Sequence, residues 1–355
     1  MNLTNLKFPL YVKLTFIVLA LVLIFVIVYV GQHILIPIFL SLLFAILLSP
    51  IVKFLNTHLK TPNVISSIIS IILLTIVVSI IVILVSSQII DFYGEINSIK
   101  LNISHHAHTI QLWIKNTLNI SYLQQELYVN DVKSNSLTME NLLSKSMLNS
   151  LTDFLLNFFL VPFYVFLFLF YKKLFLQFLK DLVNDKQHYI LEDILIHVKS
   201  SVQRYLVGLI IEMIIVSTLT SIGFLIIGVQ YAVLLGIITG ILNLIPYVGI
   251  LSAGLLSMFA TLGGESDLNI VLGVIVVNVI VQLIDNNLVV PLIVSSNVRI
   301  NAMASIIGII IGGSLLGIAG MFLAIPLIAI LKVVFDRVDS LKPIGFLLGD
   351  AMPKV

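Results

Sequence analysis

From Leu206 to Leu331 the chain is an almost continuous series of apolar runs, carrying only five formal charges: Glu212, Glu265, Asp267, Asp285 and Arg299. The runs Leu206 to Gly228, Tyr231 to Leu262, Leu268 to Asn287 and Ala302 to Leu331 predict four helical crossings. The second and fourth are about 30 residues long, more than the roughly 20 a simple span needs, and Gly and Pro interrupt both. Re-entrant hairpins around Pro246 and Pro291 are the alternative. Upstream, Leu14 to Val30, Ile34 to Val52 and Val64 to Ser87 predict three spans, with Gly31-Gln-His33 as a tight reversal and Pro37 interrupting the second. Gln88 to Ser150 has mixed polarity, and a seam of Ile89, Phe92, Ile96, Ile99, Ile103, His106, Ile110 and Trp113 predicts a helix of about 30 residues, on the order of 45 Å long. Leu151 to Tyr171 crosses back, and Ile190 to Tyr205 reads as an amphipathic helix on the inner surface.

The expectation is an all-α polytopic membrane protein with about eight transmembrane helices, broken or re-entrant segments and an extracytoplasmic helical insertion. Its parts are helices 1–3 (1–87), the insertion (88–150), the fourth helix with the amphipathic helix (151–205), a core with an internal repeat (206–331) and a cytoplasmic tail (332–355). Composition agrees: 59% of residues are hydrophobic and 10% charged, where a soluble domain carries about 25% charged residues. The first apolar run lacks a small-residue cleavage site and reads as a retained span rather than a signal peptide. Lys7 and Lys13 before the first span, Lys53 and Lys60 after the second, Lys172, Lys173, Lys180 and Lys186 after the fourth, and Lys332, Arg337 and Lys342 near the end place both termini in the cytoplasm.

The candidate chemistry lies where polar groups break the apolar pattern. A carboxylate at bilayer depth costs roughly 2.5 to 3.5 kcal/mol on insertion scales, so Glu212 and Asp285 are functional candidates. Asn278, Gln282 and Asp285 are spaced i, i+4, i+7 and share one helix face. Leu234-Leu-Gly236-Ile-Ile-Thr-Gly240-Ile-Leu-Asn243-Leu-Ile-Pro246 recurs, one residue shorter, as Leu315-Leu-Gly317-Ile-Ala-Gly320-Met-Phe-Leu-Ala-Ile-Pro326. Interrupted segments in two halves of a membrane chain point to a transport site, although small residues also let helices pack closely. The candidate ligands are thus Glu212, Asn243, Pro246, Gly249, Asn278, Gln282, Asp285, Asn286 and Asn287. Candidate gating or hinge positions are Gly236, Gly240, Pro291, Gly312, Gly313, Gly317, Gly320 and Pro326. Arg299 or Arg204 is a candidate ion-pair partner for the acids, since pairing offsets a buried charge.

Other classes fit poorly. There is no cysteine, and a net charge of +2 without a basic tract leaves no footprint for nucleic acid. His105, His106 and His108 have no carboxylate or cysteine close by, so no metal site is expected, and no cofactor. The core holds no histidine, so the usual intramembrane hydrolase constellations are missing and an enzyme is not expected.

Four motifs, Gln203-Arg-Tyr-Leu-Val-Gly208, Asn243-Leu-Ile-Pro-Tyr-Val-Gly249, Gln282-Leu-Ile-Asp-Asn-Asn-Leu-Val-Val-Pro291 and Gly312-Gly-Ser-Leu-Leu-Gly-Ile-Ala-Gly-Met-Phe-Leu-Ala-Ile-Pro326, resemble the AI-2E transporter family of bacterial multi-pass proteins. Ile250 departs from the family pattern, which has Pro or a small residue there. The resemblance implies a bacterial inner-membrane homo-oligomer, with pentamers expected. Members are described as exporters of autoinducer-2, a quorum-sensing signal, and some relatives as sodium or lithium/proton antiporters. Three readings follow: export of a small polar solute coupled to an ion gradient, Na⁺(Li⁺)/H⁺ antiport, or a membrane scaffold that transports nothing. The partners would be the lipid bilayer, a small polar solute and H⁺ or Na⁺.

Overall fold

The computed structural model describes residues 9–94, 108, 111–112, 114–117, 158–246, 248–264, 267–294 and 300–350. The ion pair expected of Arg299, His105 and His106 of the histidine cluster, and most of the 88–150 insertion lie outside them. Among the described residues there is no strand. The elements are α1 (Leu10–Val30), α2 (Gln32–His58), α3 (Asn63–Gly94), α4 (Phe158–Phe170), α5 (Lys172–Asp181), α6 (His188–Ile226), α7 (Ala232–Asn243), α8 (Val248–Gly264), α9 (Leu268–Ile284) with a π-helical extension (Asp285–Val294), α10 (Ala302–Arg337) and α11 (Lys342–Leu348). By length and composition alone five helices are long and apolar enough to cross a bilayer: α2, α3, α6, α9 with its extension, and α10 counted end to end. The pair α4 and α5, bent by 62°, makes a sixth if it is one span. The chain is an all-α, multi-pass membrane protein.

Two compact units divide it. One holds Met1–Pro50, Leu160–Gln203 and Arg299–Val355, the other Ile51–Phe159 and Arg204–Val298. In the first unit, Ser41 on α2 is fully buried and its hydroxyl donates to the Val161 carbonyl at 3.0 Å, which ties α2 to α4. Asn301 caps α10 by accepting from the Ala304 N–H at 2.7 Å, and its amide nitrogen donates to the carbonyls of Leu347 (2.6 Å) and Gly349 (3.0 Å), which ties down α11. Arg337, the last residue of α10, pairs with Asp193 near the start of α6.

Helix α10 is not a straight rod. Gly317 has φ 60° and ψ −146°, a conformation open essentially to glycine alone, and the chain reverses there. The reversal is read from its contacts: Gly308 packs on Ile328, Gly312 on the Gly320 backbone and Gly313 on Met321. These pairs describe two antiparallel limbs, 302–316 and 318–337. The missing side chains at Gly312 and Gly320 let the limbs touch backbone to backbone, which in lipid, where apolar surface gains nothing by leaving water, is a main source of helix association.

In the second unit α6 closes with a Schellman motif. Gly228 takes φ 82°, the Val229 N–H reaches back to the Phe224 carbonyl at 3.0 Å, and the Gly228 N–H reaches that of Leu225 at 3.2 Å. Phe224 and Val229 then join Ala232, Leu235 and Val274 in one buried cluster. Asp267, one of the five charges in the core, caps α9 by accepting from the Asn269 N–H at 2.8 Å. Helices α7 and α8 are joined by a short turn at Leu244–Pro246, and Gly249 lies so close to the Leu242 carbonyl that a methyl group would overlap it.

One expectation is corrected. The interrupted segments take the hairpin alternative, one turning beside Pro246 and the other at Gly317, while Pro291 sits inside the π extension and reverses nothing. The segment Ile190 to Tyr205 is helical as expected and forms the first half of α6, which runs on unbroken because no Gly or Pro falls between His188 and Val207 to stop it. The internal echo also differs in three dimensions. Gly236 is helical inside α7 while its counterpart Gly317 forms a turn, and Pro246 is at a turn while Pro326 is buried inside α10.

Candidate functional site

On α6, residues Val202, Tyr205, Leu206, Leu209, Glu212, Val216, Thr220 and Phe224 are buried, a stripe at three- and four-residue spacing that defines the inward face. Glu212 lies in the middle of it, 6% exposed. Asn243 is the last residue of α7 and Asp285 the first of the π extension; they are 6% and 2% exposed. The three converge although they lie 31 and 42 residues apart. One nitrogen, Asn243 Nδ2, donates to Glu212 Oε1 at 2.9 Å and to Asp285 Oδ2 at 3.2 Å. A side-chain amide has two N–H donors, so a single group serves two carboxyls.

Close helix contact brings them there. Gly236 and Gly240 lie one turn apart on α7 and pack on Ser221 and Ser217 of α6, with Gly240 also against the Met213 backbone. Any side chain at either glycine would push α7, and Asn243 with it, off α6. On the opposite side, Gly208 of α6 meets the Ile293 carbonyl of the π extension, where an added methyl carbon would lie 3.0 Å away. The π register starts at Asp285 itself and accommodates Pro291, which has no N–H to donate.

The other predicted residues are placed as follows. Asn278 is half-buried and donates to the Val274 carbonyl of its own helix at 3.0 Å. Gln282 donates to Asn286 at 3.0 Å, and Asn287, exposed, to the Leu283 carbonyl at 2.8 Å. Of the expected polar face, Asn278 turns to its own helix, while Gln282 reaches both Asn286 and Asp285. Pro246 is in the turn after Asn243, and Gly249 pins that turn to α7. Arg204 is on the exposed side of α6. Gly312, Gly313, Gly317, Gly320 and Pro326 belong to the other unit, where they build the α10 hairpin. Among the described residues, no Lys, Arg or His lies within ion-pair distance of Glu212 or Asp285.

Sequence reasoning passed over two residues. Tyr205, two turns before Glu212 on the same face, and Thr220, about two turns after it, are 2% and 0% exposed, and neither hydroxyl has a hydrogen-bond partner among the described residues. The seven- and eight-residue spacings from Glu212 were the available signal. Asp285 Oδ1 is likewise buried without a hydrogen-bond partner among the described residues. The site thus offers carboxylate oxygens, side-chain amide donors and no described cationic side chain, which suits an exchangeable proton or a small hard cation.

A multi-pass helical protein with hairpin segments beside a buried pair of acids belongs to the class of polytopic membrane proteins with interrupted helices. The AI-2E family transporter profile matches residues 16–340, and the chain belongs to that family. Over 140 residues it is 31% identical to YrrI and over 138 residues 36% identical to YueF, both named as candidate transport proteins of Bacillus subtilis (strain 168). Over 133 residues it is 29% identical to PerM of Escherichia coli (strain K12), named as a candidate permease. These alignments cover 38–39% of this chain and 37–38% of each relative, so the chain spans a little over a third of the length of the curated relatives it matches.

Proposed function

We propose that the protein is a secondary transporter in which Glu212, Asn243 and Asp285 form one exchange site, taken in turn by a proton and by Na⁺ or Li⁺. The observation that carries this reading is the single amide shared by two buried carboxyls. Two acids so placed leave negative charge that nothing described offsets, and a proton or a small cation between them supplies the missing partner. The α7–α8 hairpin, whose tip follows Asn243, is the moving part best placed to open the site alternately. The chain sits in the bacterial inner membrane with both termini in the cytoplasm, as a homo-oligomer.

A second reading, export of a small hydroxyl-rich solute such as autoinducer-2 with the acid pair carrying the coupling proton, is supported by family membership. The buried inventory favours the first. Gln282, Asn286 and Asn287, the amides a polyol would need, are bonded to one another or to their own helix. The test is purified protein in liposomes with a trapped pH-sensitive dye, to which Na⁺, Li⁺ or K⁺ is added. Proton movement on Na⁺ or Li⁺ without organic solute, lost in Asp285→Asn and Glu212→Gln proteins that still insert and fold, is expected. Silence to every cation, with solute efflux unchanged in both variants, overturns the exchange site.

A further inference from the structure

Helix α5 has no buried residue. Around its axis Leu174, Phe175 and Phe178, followed by Leu182 just past its end, occupy one side, and Lys173, Gln177, Lys180 and Asp181 the other. The apolar side is open: Leu174 is 63%, Phe178 56% and Leu182 65% exposed. This differs from the apolar exposure of α1, which surrounds the helix, whereas here it is confined to one face. The helix begins where α4 ends. No charged residue occurs between Phe154 and Tyr171, and Lys172 and Lys173 follow at once, so the bilayer surface lies at the 62° bend between the two helices. Toward its end α5 is held to its own unit: Lys180 pairs with Glu192 on α6 at 2.6 Å, and the His188 ring lies 3.1 Å from the Lys180 carbonyl.

We propose that α5 is an interfacial anchor that binds an anionic lipid surface, with Leu174, Phe175, Phe178 and Leu182 inserted among the acyl chains and Lys172 and Lys173 at the phosphate level. Two observations select the membrane over a protein partner. The helix emerges from a span at the depth where the surface must be, and two of its three lysines, Lys172 and Lys173, stand at that junction. Residues 172–181 carry three lysines and one aspartate, so attraction to anionic headgroups adds to the apolar insertion. The Lys180–Glu192 pair fixes the roll of the helix and keeps its apolar side toward the lipid. This inference does not depend on the exchange site.

The chain contains no cysteine, so single cysteines carrying a nitroxide report depth without background. The full-length protein in liposomes is labelled at Phe178→Cys, with Leu182→Cys as a second reporter should the first not fold, and at Gln177→Cys on the opposite face. Collisions with oxygen, which concentrates in acyl chains, and with a water-soluble nickel complex give depth parameters. Opposite signs are expected, lipid-immersed at 178 or 182 and aqueous at 177. Equal aqueous exposure of both faces, or protection of 178 from both reagents as in a protein contact, overturns the proposal. In Lys172→Gln/Lys173→Gln protein the label at 178 should move toward water in anionic vesicles and be unchanged in zwitterionic ones; no difference between the two lipids removes the anionic preference.

Discussion

Asn243 is a small residue with a large share of the site, because its amide is the described donor that reaches both carboxyls. Asn243→Leu keeps the volume and removes both bonds. A buried polar group left without its partner costs about 1 to 3 kcal/mol. The expected result is a lowered unfolding temperature in detergent together with loss of cation-driven proton movement. Tyr205 is the opposite case. Its hydroxyl is buried without a partner, so Tyr205→Phe removes a group that is already unsatisfied, and stability should be unchanged within about 1 kcal/mol or slightly raised. A marked fall in the melting temperature would show that the hydroxyl is bonded after all. Glu212 and Asp285 were legible as candidates because an acid inside an apolar run is expensive wherever it lies. That they share one amide was not legible, since the three residues come from different helices and no spacing rule connects them.

Among the elements, the two hairpins depend on glycine for different physical reasons. Gly317 is needed for its dihedral angles, so Gly317→Ala should cost about 1 to 3 kcal/mol, although nothing lies within 4 Å of the added methyl. Gly249 is needed for space, as a methyl there overlaps the Leu242 carbonyl; Gly249→Ala should displace the turn beside Asn243 and abolish exchange. Gly254 in α8 has helical surroundings and open space, and Gly254→Ala should be neutral or stabilise by up to about 1 kcal/mol. Thermal unfolding of the three variants side by side separates these cases. Both interrupted segments could be found from Gly and Pro in the sequence, but their turning points could not. The copies are alike in residues, yet Pro246 marks a turn and Pro326 sits mid-helix, because contacts with the opposing limb decide where a chain reverses.

For the whole molecule the hairpins change how the chain crosses the membrane. The limbs of the first, α7 and α8, have 12 and 17 residues, about 18 and 26 Å, short of a core of about 30 Å. A hairpin returns the chain to the side it left, so the segments flanking α7 and α8 should face the same compartment, whereas a broken span would put them on opposite sides. Single cysteines at Gln230 and Asp267, tested with an impermeant thiol reagent in intact cells and in inverted vesicles, should label from the same side. Labelling from opposite sides would restore the crossing read from the sequence. The same-side outcome still satisfies the flanking charges, which require only an even number of crossings between Arg204 and Lys332.

The order of residues was enough to decide that this chain is helical, that it lives in lipid and which of its acids are out of place. Each of these follows from local cost: apolar length against bilayer thickness, and charge against a low dielectric. Tertiary structure alone decided that Asn243 serves both acids, that one repeat turns at proline and the other at glycine, and that the helix after the fourth span leaves a one-sided apolar face open. Those outcomes depend on which backbone approaches which, and close approach between residues tens of positions apart is a property of the packed helices that no single segment carries.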